Sequence, residues 1–142
     1  MAIVLKHSSA EIVAEDGARV LVDRWLPRGM KEEVLALRNW LPTLAPSTEL
    51  QRWFATKPAQ WKLFRQRYLT ELEEPEALAA LQELAELADG EERITLLTSA
   101  DEPEHSHAAV LRDLLSGARK PPATTGPARA ASAGRARARR PR

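Results

Sequence analysis

Two short apolar runs, Val20-Leu-Val22 and Ile94-Thr-Leu-Leu97, are held apart by residues 23–93, most of which carry helical spacing. Each run is short, rich in branched side chains and bounded by polar residues. Arg19–Arg24 and Ile94–Thr98 therefore read as buried strands. Ile3-Val-Leu5 reads as a third. Parallel neighbours need a crossover connection, and the crossover helix covers a face of the sheet. The pattern predicts the α/β class: a small, largely parallel sheet with helices packed on it, in a single domain. If the two runs pair in parallel, their connection should be right-handed.

The helices follow from spacing and punctuation. Lys31 to Leu41 places Val34, Leu35, Leu37, Trp40 and Leu41 in a mostly helical pattern that Pro42 stops. Pro46 to Gln51 looks like a helix start, with Thr48 as cap and Gln51 three residues on. Pro58 opens the next helix, whose face carries Trp61, Phe64, Tyr68 and Leu72. The first three of these read as core. Pro75 restarts the helix with a stripe of Leu78, Leu81, Leu84 and Ala88, and Gly90 closes it. Pro103 sits at a first helical turn, Val110, Leu111, Leu114 and Leu115 give the last helix its apolar face, and Gly117 ends it.

Charge divides the chain in two. The net charge of +1 comprises 21 basic and 20 acidic side chains. Eight of the basic ones and none of the acids fall in residues 118–142, leaving 13 against 20, a net of −7, for residues 1–117. Residues 1–117 form the expected domain. Residues 118–142, rich in Arg, Pro and Ala and poor in large apolar side chains, form an expected disordered tail. Arg135, Arg137, Arg139 and Arg140 in that tail could hold nucleic acid through its phosphates; a solvated extension without a partner is the other reading. No cysteine is present, which excludes disulfides, thiolate zinc and cysteine nucleophiles. No apolar run reaches the roughly 18 residues of a membrane span. Residues 1–6 are too short for the apolar core of a signal peptide, so the cytoplasm is the expected compartment.

Four stretches resemble one family. Val20-Leu-Val-Asp-Arg-Trp-Leu-Pro-Arg-Gly29 looks like the strand-and-turn signature of the YeaO-like branch of domain of unknown function 488. Leu44-Ala-Pro-Ser-Thr-Glu-Leu50 with Trp53-Phe54 looks like its second motif. Phe64 to Leu72, and Thr95-Leu-Leu97 with His105-Ser-His107-Ala-Ala-Val-Leu111, resemble the rest. The resemblance covers about residues 3–116 and implies a fold and a cleft, with no established activity. Trp25 and Leu26 stand in reverse of the family's usual order, and Thr98 and Ser106 stand where the family often has tyrosine and asparagine. Neighbouring side chains of extended chain point oppositely, so the reversal re-aims the indole. No glycine-rich dinucleotide loop and no helix-turn-helix pair is present.

Ligands of α/β sheets bind beyond the carboxyl ends of the strands. Asp23, Arg24, Trp25 and Arg28 follow one strand; Ser99, Asp101, Glu104, His105 and His107 follow another, at a helix start. Arg24, Trp25, Arg28 and Ser99 are the expected ligand-binding residues. The planar guanidinium fork suits phosphate or carboxylate, and a helix N-terminus would add free N–H groups. Against this, Arg24 could simply pair with Asp23 or another acid. His105 and His107 are candidates for acid–base work; as metal ligands they would need Asp101 or Glu104 beside them, and as structural groups they would be surface or satisfied histidines, His107 capping the core. Ser47 and Thr48 read as helix caps.

Overall fold

In a computed structural model of the chain, residues 2–118 are described; the expected tail and its arginines, Arg135, Arg137, Arg139 and Arg140, lie outside the described residues. Four strands, β1 (Ala2–His7), β2 (Ala18–Leu21), β3 (Asn39–Trp40) and β4 (Arg93–Thr98), form one sheet in the order β1-β4-β2-β3. Every pairing is parallel: Ile3 stands opposite Ile94, Val20 opposite Leu96, and Leu21 opposite Trp40. Five helices pack around it: α1 (Glu32–Leu35), α2 (Thr48–Thr56), α3 (Trp61–Glu71), α4 (Pro75–Asp89) and α5 (His107–Ala118). None of these is long and apolar enough to cross a membrane.

β4 is central, and its residues Ile94 to Thr98 are all buried. On one side lies the main core, where Val20, Ile94 and Leu96 meet Phe64, Tyr68, Leu84 and Leu111. Leu21, Leu35 and Leu97 form a smaller cluster, with Leu26, Leu37 and Trp40 against it. That alternation along β2 and β4 is the period-two geometry of a strand covered on both faces. Gly17 leads into β2 at φ 66°, and a Cβ there would run into the Arg93 carbonyl, so only glycine fits this approach.

Residues 31–41 do not form the expected helix. Four residues are helical, Ala36 turns left-handed at φ 53°, and Asn39–Trp40 joins the sheet edge. Backbone groups that helix would have used are claimed elsewhere. Leu35 O accepts from Arg19 Nε (2.9 Å), and Arg38 N–H donates to Arg19 O (2.7 Å). Leu35 is buried and Leu37 and Trp40 are half-buried in this form as well, so the apolar spacing did not discriminate.

Smaller corrections share that character. β2 ends at Leu21 instead of Arg24, although Val22 N–H still reaches Leu97 O at 3.2 Å. The cap of α2 is Ser47, whose hydroxyl accepts from Leu50 N–H; Thr48 is the first helical residue. Pro58 lies in the turn before α3, which starts at Trp61. In α4 the buried face is Ala77, Ala80, Leu84 and Ala88, and Leu78 is exposed. Pro103–His105 is an isolated 3-10 turn, and α5 runs through Gly117 to Ala118.

Candidate functional site

Parallel strands aim all their carboxyl ends the same way, so the loops after β2 and β4 emerge side by side. They are tied at their base by Asp23. One carboxylate oxygen accepts from the Thr98 hydroxyl (2.8 Å), the other from Ser99 N–H (2.7 Å). His107, first residue of α5, brings Nε2 to 3.2 Å from the same carboxylate and 2.9 Å from Val22 O. Both partners are acceptors, so the Nε2 nitrogen carries the proton. Burial alone would raise the Asp23 carboxyl; the hydrogen bond and charge of His107, with Ser99 N–H and the Thr98 hydroxyl, outweigh it and hold the group below the ordinary aspartate range. Trp40 Nε1 completes the knot by donating to Asp23 O at 2.8 Å.

Beyond this knot opens a cleft of about 980 Å³. Arg24, Trp25, Arg28, Ser99, His105 and His107 all line it, together with Asp23, Asp101 and Glu102. Its far wall is aromatic. Phe54 stacks on Phe64 at 4.3 Å, and Trp61 lies 5.6 Å from Phe64 and 5.5 Å, edge-on, from His105. Behind them Tyr68 is buried; burial pushes its phenol well above the usual range, with the charges of Glu71 and Asp23 adding to that. Its hydroxyl donates to Leu44 O.

Arg24 does not pair with Asp23 or with any other acid among the described residues. Its one hydrogen bond runs from a terminal nitrogen to Pro46 O at 3.3 Å, and its buried Nε has no partner. Arg28 is exposed and makes no ion pair among the described residues. Trp25 is 75 % exposed at the cleft mouth, while Leu26 packs into the smaller core cluster. The order Trp25-Leu26 thus sends the aliphatic side chain inward and the indole to solvent. Ser99 shares a hydroxyl hydrogen bond with Ser8 (2.9 Å).

The histidines do not act as a pair. His107 is buried in the Asp23 knot; His105 is exposed, 3.3 Å from Glu102. Glu104 points away to Arg112, which holds its carboxyl below the ordinary range. Among the described residues no group of three or more His, Cys, Asp and Glu side chains is arranged for a metal. The N-terminus of α5 is occupied as well. Ser106 takes Ala108 N–H on its hydroxyl (3.2 Å) and Ala109 N–H on its carbonyl (3.0 Å). A ligand there would find those two N–H groups already taken. Sequence reasoning missed Phe54 as a wall and assigned Trp61 wholly to the core. Their partial burial was the missing signal, since an aromatic stripe alone cannot show which member stays uncovered.

The sequence pattern described as the inactive DUF488-N3 subclade matches residues 2–133 of this chain. The chain belongs to the DUF488 family. It is 43% identical over 102 residues to the uncharacterized protein YeaO of Escherichia coli K12, which covers 70% of this chain and 84% of that one. It is 38% identical over 107 residues to an uncharacterized protein of Mycobacterium tuberculosis H37Rv, covering 75% of this chain and 87% of that one. No solved structure matches this DUF488 chain significantly. Within the family's motifs, the two departures at Thr98 and Ser106 both have structural work here: Thr98 holds Asp23, and Ser106 caps α5.

Proposed function

We propose that this DUF488 domain binds a small ligand carrying a carboxylate or phosphate, seated on the Phe54–Trp61 wall with its anionic group at Arg24, and does not turn it over. The observation that carries this is Arg24, a residue of the cleft whose buried Nε has no partner among the described residues. A buried donor left without an acceptor costs about 1–3 kcal/mol, which a ligand oxygen would recover. Arg28 adds a second cation at the rim, and the aromatic wall supplies the apolar surface that small-molecule sites usually have. Two things support binding over catalysis. His107 Nε2 is committed to Asp23 and Val22 O, so this residue positions the loop; and the subclade is described as inactive.

The test is a titration of 4-methylbenzoate followed by tryptophan fluorescence, since Trp25 and Trp61 both line the cleft. The chain should show saturable binding, weakened about tenfold or more by Arg24→Gln, the equivalent of one charge-assisted hydrogen bond. Absence of saturation, or affinity unchanged in Arg24→Gln, contradicts the reading. The charge split motivates a second reading, phosphate-backbone binding by residues 118–142. Truncation after Gly117 then abolishes duplex binding at physiological salt; unchanged binding removes it.

A further inference from the structure

We infer that the cleft selects a dipolar ligand: a flat body with an anionic group at the Arg24–Arg28 side and a cationic group at the Asp101–Glu102 side. This rests on the anion-binding reading above and names the ligand class more closely. Both signs of charge line the same concavity, the arginines from the loop after β2 and the acids from the loop after β4. Some opposite charges elsewhere in the domain close on each other, as in Lys6–Asp16, Arg38–Glu91 and Arg112–Glu104. Here they do not. Among the described residues Arg24, Arg28 and Asp101 form no ion pair, and Glu102 has only the 3.3 Å approach of His105.

The two signs of charge are carried by different elements of the wall. Arg24 is anchored at Pro46 O, just ahead of α2. The aromatic lining runs from the stacked Phe54 and Phe64 to Trp61, then to His105 on its edge, and so to Glu102. The guanidinium is therefore held toward the start of α2, and the Glu102 carboxylate lies beside His105. At the other side the Asp23 knot fixes the two loops to each other. A simple anion gains from Arg24 and is repelled by Asp101 and Glu102; a simple cation meets the reverse. A ligand with both groups satisfies both ends, and the unpaired charges act against the single-sign competitors.

The experiment uses three probes on one ring, titrated against the full chain: 4-(aminomethyl)benzoate, 4-methylbenzoate and benzylamine. The dipolar probe should bind about tenfold more tightly than 4-methylbenzoate, and benzylamine more weakly than the dipolar probe, in keeping with one added charge pair in a partly desolvated site. Asp101→Asn combined with Glu102→Gln should erase the preference while leaving 4-methylbenzoate bound as well or better. Both residues are exposed, so the fold does not depend on them. Equal affinities for the two benzoates, with Arg24→Gln still weakening both, overturn this inference alone. Failure of both benzoates to bind overturns the anion reading with it.

Discussion

Asp16 and Asp23 flank the same strand, one ahead of Ala18 and the other beyond Leu21, and the domain uses them in opposite ways. Asp16 is clasped by two permanent cations: Lys6 at 2.8 Å, and Arg19, itself only 4 % exposed. It also accepts from Val13 N–H, and its carbonyl takes the Thr95 hydroxyl. Burial would raise its carboxyl, but Lys6, the Val13 amide and Arg19 together hold it below the ordinary range. Among the described residues Asp23 has no lysine or arginine on it, only a hydroxyl, an amide and one imidazole. The amino end of the sheet is closed by cations spent on structure. At the carboxyl end those contacts come from a hydroxyl, an amide and an imidazole, and the neighbouring Arg24 and Arg28 make no ion pair among the described residues.

The comparison can be broken in three ways. Asp16→Asn should cost the most, about 3–5 kcal/mol in urea denaturation, because it strands the buried Arg19 guanidinium, one of whose nitrogens already lacks a partner. Asp23→Asn keeps the shape and some of the hydrogen bonds, so its cost should be about 1–3 kcal/mol. Its signature is local: faster amide exchange at Ser99, with β1 unaffected. Equal losses in the two variants would erase the distinction. The smallest effect is on pH dependence. Both carboxyls sit below their unfolded value of roughly 3.9, so the stability they contribute is present above that value and is lost as pH falls through the folded-state values. Denaturation midpoints should therefore hold from about pH 7 to 5 as far as these groups are concerned and drop below about pH 4. The drop should be shallower in Asp23→Asn; an identical drop would mean that Asp23 is not among the groups responsible.

The β2 and β4 strands, the parallel sheet and the strand-end location of the cleft were all legible, because continuous apolar runs joined through helices leave few other arrangements. Residues 31–41 were not. A two-residue edge strand has no periodicity to read, and the decisive contact, Arg19 Nε on Leu35 O, joins residues whose meeting no local spacing announces. The arginines and histidines of the cleft could be named from their places after strands. The closing of α5 by Ser106, the role of Asp23 as the tie between loops and the aromatic wall could not, since each depends on which side chain a distant backbone brings near. Asp23 and Asp16 look alike in sequence, each an aspartate beside an apolar run, and only their partners tell them apart.

The most direct test is to map amide chemical shifts of the chain during titration with 4-methylbenzoate. The account predicts shifts confined to residues 23–28, 54–64 and 99–107, with Lys6, Asp16 and Arg19 unmoved. Shifts centred on Asp16 and Arg19, or scattered without saturation over the whole domain, would contradict it.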